Sequence, residues 1–478
     1  MEIVGDSDTV GTEPPFADAA IQELLESATL HEKAGRYRHA FHASKLVLQA
    51  APRNPDALHL LGLLAFRNKR LEEALHLMQQ SIDVGINTPL YFRNIAEVYR
   101  ISGRLDEALS AGRRAAMLDP DNPVILSNLA IIHVSRGEAA EADHCERAAL
   151  SLDPGYANAH FGLAALLLAH GDMEQGWEEY EWRFCMPGAA VNLPPHGRPQ
   201  WDGRPLPAER LLVVADQGTG DVIQFGRYLP WVMERCPKPL IASPAAVRPI
   251  LAQLGGDRFF TGWDHIPDYD CYVPLSGLPR LAGTRLASIP AGNPYLAADP
   301  SRRLAWKARL SALMPRGMLR VGLVWAGRPD HAWNHVRSMH LADLAPLFSL
   351  DGTVLVSLQK GERASEAGAY FGSAPLLQVG CDMKDWDDTM AVIANLDVVV
   401  SVDTAVAHLA AAMGRRVFLL LPHVAEWRWL QARHDSPWYP TMRLFRQEPD
   451  RSWIRPVSSA AEELGRLARR RKKRAPMI

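Results

Sequence analysis

No apolar run in this 478-residue chain approaches the ~18 residues that a membrane-spanning helix needs. The opening MEIVGDSDTVGTEPPF is acidic and has no apolar core, which argues against a secretory signal. Cysteine is scarce: Cys145, Cys185, Cys236, Cys271 and Cys381 stand apart, with no C-x-x-C pair. That pattern excludes a disulfide framework and zinc-ribbon spacing. It fits a reducing compartment, so a cytoplasmic location and no metal site are expected. Charge of one sign is also missing, with Lys+Arg 52 against Asp+Glu 54. No global field therefore gathers nucleic acid. With 47% hydrophobic and 22% charged residues, the chain is too apolar for wholesale disorder. At ~150 residues per domain, about three domains are expected.

What is present begins with a period. Small residues recur every 34 positions at Ala40, Ala74, Ala108, Ala142 and Gly176. Twelve positions earlier the same register holds Ala28, Gly62, Ala96, Ala130 and Ala164. Gly35, Gly103, Gly137 and Gly171 keep it too, with Lys69 the exception. Pro52, Pro120 and Pro154 close three units, and Ile86 stands in the matching place of another. The spacing predicts pairs of short helices. The small residues sit where two backbones approach, glycine opens the turn, and proline ends the second helix. One such pair cannot bury its apolar face alone, so the pairs must stack.

On these markers residues 21–186 resemble the tetratricopeptide repeat family, as about five units. The resemblance implies an all-α solenoid whose concave face takes a protein or peptide. Residues 1–20 ahead of it are expected to be disordered. Trp177, Tyr180 and Trp182 in the fifth unit read as a ligand platform or as the apolar cap that seats the repeats on the next domain.

Prolines and glycines crowd the stretch after 186, and a linker is expected at 187–207. Beyond it, short apolar runs alternate with helical stretches. The clearest are Leu211–Ala215, Val321–Trp325, Val354–Leu358, Val398–Ser401 and Val417–Leu421. Such runs predict parallel sheets covered on both faces. Two Rossmann-like domains facing a cleft are expected at 208–297 and 298–470, followed by a basic tail at 471–478. Ligands of such sheets bind beyond the carboxyl ends of the strands.

Three segments there carry candidate chemistry. In L-L-V-V-A-D-Q-G-T-G-D, a strand runs into Gly218 and Gly220, which allow close approach of backbone, and then Asp221. Asp221 reads as a functional carboxylate or as a first-turn residue that caps the helix. In S-V-D-T-A-V-A-H, Asp403, Thr404 and Ala405 open a small-residue helix. Its free amides make an anion pocket. His408 lies on the face of Thr404, or is an interior histidine, and Asp403 reads also as a cap. The third segment is a pair of post-strand loops carrying Arg328, His335, Arg337 and Ser338, then Lys360 and Glu362. Arg337 and Lys360 suit neutralisation of a diphosphate. As loop charges they are equally accounted for by solvation.

The G-T-G-D loop and D-T-A-V-A-H together resemble glycosyltransferase family 9, the ADP-heptose lipopolysaccharide heptosyltransferases, over about 208–470. The whole layout is similar to bacterial tetratricopeptide-repeat glycosyltransferases. The resemblance implies a GT-B fold and an inverting, metal-independent transfer from a nucleotide-sugar co-substrate, with no other cofactor. It implies Asp221 as catalytic base, with Asp403, Thr404, Ala405 and His408 binding the donor and Lys360 and Arg337 neutralising its phosphates. Gly218 and Gly220 would shape the loop. Ala405 stands where the family pattern has glycine, and the first Rossmann-like half is short. Alternatives are a repeat scaffold whose transferase domain has lost its chemistry, and a lipopolysaccharide-core heptosyltransferase.

The remaining signals read more plainly. Trp427, Trp429, Trp438 and Tyr439 line a donor site or pack a core. Asp268-Tyr269-Asp270 spells a D-x-D that the sheet pattern leaves as chance. The basic run Arg466 to Arg474 touches an anionic membrane surface weakly or is a solvated tail.

Overall fold

The computed structural model describes residues 18–85, 87–186, 193–195, 197–255, 257–263, 266–290, 294–331 and 333–474. Residues 1–17 of the expected disordered start, 187–192 and 196 of the linker, Ile86, and 475–478 of the tail lie outside the described residues. The chain forms two compact units, 1–162 and 163–478. The division falls inside a helix of the fifth pair, ahead of the proline-rich stretch.

The N-terminal half is a helical-repeat solenoid. Its helices are α1 (Asp18–Lys33), α2 (Tyr37–Ala50), α3 (Pro55–Arg67), α4 (Leu71–Val84), α5 (Pro89–Ile101), α6 (Leu105–Leu118), α7 (Pro123–Arg136), α8 (Ala139–Leu152), α9 (Ala157–His170) and α10 (Met173–Tyr180). Asp18 already begins α1. The small residues do what their register implies: Ala28, Ala40, Ala74, Ala108, Ala130, Ala142 and Ala164 are fully buried. A Cβ on Gly62 would come within 2.7 Å of Met78 Cγ. A second proline register was missed. Pro55, Pro89 and Pro123 each open a helix, where the ring's fixed φ is preorganised and no amide is lost. The Asn54 and Asn122 side chains cap two of these, accepting from Ala57 N and Val124 N at 3.0 Å. The turn glycines have φ between 71° and 89°, and Lys69, the exception to the glycine register, adopts the same left-handed turn at φ 60°.

The second unit holds two all-parallel sheets. The first has the order β3-β2-β1-β4, from β1 (Leu211–Val214), β2 (Leu240–Ala242), β3 (Phe259–Phe260) and β4 (Cys271–Pro274). The second has the order β10-β9-β8-β5-β6-β7. Its strands are β5 (Leu319–Val324), β6 (Thr353–Ser357), β7 (Leu376–Gln378), β8 (Val398–Val402), β9 (Arg416–Leu421) and β10 (Met442–Arg446). Strands β5, β6 and β8 are buried at nearly every position, as covering on both faces requires. Strand order reverses beside β5: β6 lies on one side and β8 on the other. The crevice beyond the carboxyl ends of β5 and β8 is where a ligand of such a sheet belongs. In the first sheet, β1 stands between β2 and β4 in the same way.

Aromatic packing consolidates this unit. Trp177 meets Phe225, Trp427 and Trp438 edge-on, at ring separations of 6.4, 5.3 and 6.4 Å. Trp177, Tyr180, Trp427, Trp429, Trp438 and Tyr439 are all buried, so they act as core. The basic run is a continuation of the helix Ile454–Arg474 through its last residue, where a tail from 471 was expected.

Candidate active site at the carboxyl ends of the two sheets

The loop after β1 turns its first carboxylate inward. Asp216 accepts from Ser276 N at 3.1 Å, after β4, and burial pushes its carboxyl up. Arg183 donates to Ser276 Oγ at 2.7 Å, tying the segment after α10 to the same point. The helix Thr219–Gly226 then starts at Gly218, with no side-chain cap. Asp221 therefore sits in the first turn without capping it. Its acceptor role is filled by Arg428, whose Nη2 donates to Oδ1.

Gly220 is where the two halves of the site meet. A Cβ there would lie 3.3 Å from His408 Cδ2 and 3.9 Å from Ala405 Cα. Backbone of the G-T-G-D loop thus rests on the first turns of the helix Ala405–Ala412. That helix follows β8 directly, and its alanines at 407, 410, 411 and 412 are fully buried. Small residues let it pack this closely. Thr404 caps it without a side-chain hydrogen bond, and its hydroxyl lies 3.0 Å from Ser401 Oγ instead. Ala407 N bonds back to Thr404 O at 3.0 Å, and the amides ahead of it open the helix as in any helix N-terminus.

Asp403 does not cap either. Its Oδ2 accepts from Trp429 Nε1 at 2.9 Å, and Oδ1 lies 3.7 Å from His408 Nε2. Burial opposes its charge, yet His408, Trp429 and Arg337 together hold the carboxyl down to about 2. His408 is buried, with Nδ1 2.9 Å from Tyr439 Oη and its ring against Trp429. Both ring nitrogens are thereby turned toward protein groups, and the imidazole braces Gly220 and Asp403.

Arg337 reaches the same place from the loop after β5. Its guanidinium lies over Gly327, where a Cβ would come within 2.7 Å of Nη2. Its Nε is buried without a hydrogen-bond partner among the described residues. Its charge bears on Asp403 and on His331. Ser338 spans the loop, accepting from Gly327 N at 3.0 Å and donating to Asn334 Oδ1 at 2.8 Å. Lys360 is placed otherwise: Nζ donates to Met383 O at 2.6 Å, while its neighbour Gln359 ties the ends of β5 and β6 through Trp325 N and Ala326 N. The structure thus gathers Asp221, Asp403, Ala405, His408 and Arg337, and holds Lys360 on Met383.

Three site residues escaped the sequence reading. Arg428 donates through Nε to Gln224 Oε1 at 2.7 Å, through Nη1 to Glu426, and through Nη2 to Asp221. Its guanidinium stacks 4.1 Å from the Trp427 ring centroid. Against the pull of burial, Glu426 and Asp221 keep it fully charged. Glu426 keeps 39% of its side chain exposed. Desolvation, opposed by Arg428 and aided by Asp403 and Asp221, pushes its carboxyl up to about 7. His331, whose Nδ1 accepts from Trp333 N at 3.2 Å, feels both Asp403 and Asp221; burial and Arg337 lower its pKa. It stands four positions before His335, yet no group of three or more metal-ligating side chains occurs among the described residues. Asp268 and Asp270 of the D-x-D lie 3.5 and 3.4 Å from Arg210.

Residues 385–421, which hold β8, D-T-A-V-A-H and β9, match the model of glycosyltransferase family 9 (heptosyltransferase). Protein FlbA of Caulobacter vibrioides is 31% identical over 327 residues, covering 62% of this chain and 53% of that protein. The chain therefore spans about half the length of this curated relative. Among solved structures, its similarities include Pseudomonas aeruginosa PilF (16% identity, 34% of this chain and 75% of that one, TM-score 0.33). A thermophilic TPR protein of Thermus thermophilus is a second (20% identity, 36% and 94%, TM-score 0.33). Within the C-terminal half, residues 385–421 thus resemble a family 9 glycosyltransferase. Among the described residues, no helix is long and apolar enough to cross a membrane.

Proposed function

We propose that the chain is a GT-B glycosyltransferase that moves a sugar from a nucleotide-sugar donor to a protein or glycan acceptor recruited by the repeats. The observation that carries this reading is the contact of Gly220 with Ala405 and His408. It brings the Asp221 carboxylate beside a helix N-terminus that suits a diphosphate. In this proposal the acceptor hydroxyl gives its proton to Asp221 as it attacks the anomeric carbon, inverting it. The departing nucleoside diphosphate gathers charge, which the amides after Thr404 and the guanidinium of Arg337 stabilise. With those groups in place the reaction needs no metal to carry the leaving charge. Asp403 and His408 hold the pocket's shape, and Lys360 joins the diphosphate only by leaving Met383. The family 9 match over 385–421 supports the donor side.

A second reading has an observation of its own. Arg428 occupies Asp221, as it would in a scaffold whose transferase fold no longer turns over. Thermal shift with a panel of nucleoside diphosphates tests the donor site. A diphosphate that binds the folded chain raises its melting temperature by mass action. Thr404→Glu places a negative charge at the anion site and abolishes the shift. An unchanged shift in that variant would move the site elsewhere.

A further inference from the structure

The parallel six-stranded sheet puts the candidate site at its carboxyl edge, and its amino edge carries a separate feature. Arg415 and Arg416 lead into β9, and Arg303 lies close enough to act on Arg415. Their local counter-charge is Asp397, already taken by Arg320 N at 2.8 Å and by the Arg471 guanidinium. The end of the helix Ile454–Arg474 passes the same edge, with Ala468 against Gly352 at the entry to β6. Arg469, Arg470 and Lys472 are exposed there, and Arg466 keeps 59% of its side chain in solvent. A hollow of about 410 Å³ opens between Leu350, Glu462, Gly465, Arg466 and Arg469, with Glu462 3.4 Å from Arg466, so a phosphate there would take Arg466 over from Glu462. A chain with net charge −2 thus concentrates cations on one edge.

Exposed apolar side chains occur in the segments that flank this sheet. Leu304 is 63% exposed beside Arg303, Leu313 is 56% exposed in the segment running into β5, and Phe371 is 72% exposed ahead of β7. Phosphate backbones of nucleic acid give isolated leucines nothing to bind. A bilayer interface takes both, with headgroup phosphates meeting arginine and the acyl boundary meeting Leu and Phe. We propose that this amino edge is a docking surface for anionic phospholipid, with the hollow between Arg466 and Arg469 taking a headgroup phosphate. Docking by this edge leaves the carboxyl edge, and whatever reacts there, facing away from the bilayer.

The test is sedimentation of the full chain with vesicles of phosphatidylcholine alone and with one quarter phosphatidylglycerol. Binding is expected only to the anionic vesicles, and it should weaken as salt shortens the range of the charges. The triple variant Arg466→Glu, Arg469→Glu, Arg470→Glu should lose about tenfold or more of that binding. Arg38→Glu, exposed in the repeats, should bind as the parent does. A melting temperature near the parent's shows that the triple variant folds. If it does not fold, Arg470→Glu with Lys472→Glu, neither of which lines the hollow, serves in its place. The proposal is overturned by equal binding to both vesicles, by none at low salt, or by parental binding of a folded variant. Release from the vesicles by millimolar inorganic phosphate alone, or tighter binding to single-stranded RNA at equal phosphate, also overturns it.

Discussion

Arg428 ties the two halves of the site together by donating to Asp221, which lies in the first sheet's half of the unit, 207 positions earlier in the chain. The same guanidinium holds Glu426 and Gln224. The pairing fixes the direction of the carboxylate before an acceptor arrives. Turnover requires the acceptor to share or displace the guanidinium that now holds this oxygen.

Arg428→Met should therefore cost stability through the partners it abandons. Both carboxylates keep contact with solvent, 23% of the side chain for Asp221 and 39% for Glu426, so losing their shared partner should cost about 1 kcal/mol. Thermal denaturation of the full chain measures this. Arg428→Lys keeps the charge and should recover part of the loss, though it cannot serve three acceptors in one plane. A melting temperature unchanged in the Met variant would show that the pairing contributes nothing.

Lys69 offers a test in the repeats. At φ 60° it occupies a turn that the other units give to glycine. A side chain in the left-handed region costs about 1–2 kcal/mol, and glycine removes that strain while freeing the unfolded chain somewhat. Lys69→Gly should stabilise the solenoid by about 0.5–1 kcal/mol. A lower melting temperature would mean that Lys69 makes an interaction worth more than its strain.

Glu146 gives the pH dependence. It is buried in α8, and its Oε1 fills the space that a side chain on Gly162 would take, 2.1 Å from that Cβ. Its Oε2 has no hydrogen-bond partner among the described residues. Burial, opposed only by a hydrogen bond with Ser127, raises its carboxyl to about 8. Below the usual carboxylate range of about 4.3, folded and unfolded chains both hold the proton. As pH rises from there toward 8, the unfolded chain releases it and the folded chain keeps it, so stability drains away through that window. Glu146→Gln removes the titration. It should melt within a degree or so of the parent at pH 4.5 and about 4 °C or more above it at pH 8. Equal melting temperatures at pH 8 would show that the carboxylate is solvated in place.

Legibility tracked how local each cause is. The 34-residue register was visible because each unit repeats its own packing, and it located residues such as Ala74 and Ala108 that prove fully buried. The strands β1, β5, β6, β8 and β9 were visible as continuous apolar runs. β10 escaped because Arg443 and Arg446 interrupt it at the sheet's edge, and β3 because it has two residues. Arg337 and Thr404 stand out as candidates in the sequence because each follows a continuous apolar run. Arg428 and Glu426 were not, since only folding brings W-R-W to Asp221. Nothing local distinguishes Lys360, which points to Met383, from Arg337.

Asp221 itself decides between an enzyme and a scaffold. It does not cap its helix, so the capping account of this carboxylate leaves its placement unexplained. Its side chain is 23% exposed, open enough to meet an acceptor and close enough to Arg428 to be held. Asp221→Asn keeps the volume and leaves an amide oxygen to accept from Arg428. It removes the charge and, with it, the base. If Asp221 takes the acceptor's proton, the Asn variant should fold, bind nucleoside diphosphate as the parent does, and lose transfer by about 10²–10⁴-fold. Sugar transfer is measured at saturating donor, with the melting temperature and the diphosphate shift as controls. Near-parental transfer with both controls unchanged would remove Asp221 from the chemistry. A parent that binds diphosphate and transfers nothing to any acceptor bound by its repeats would favour the scaffold, with Arg428–Asp221 as a purely structural pair.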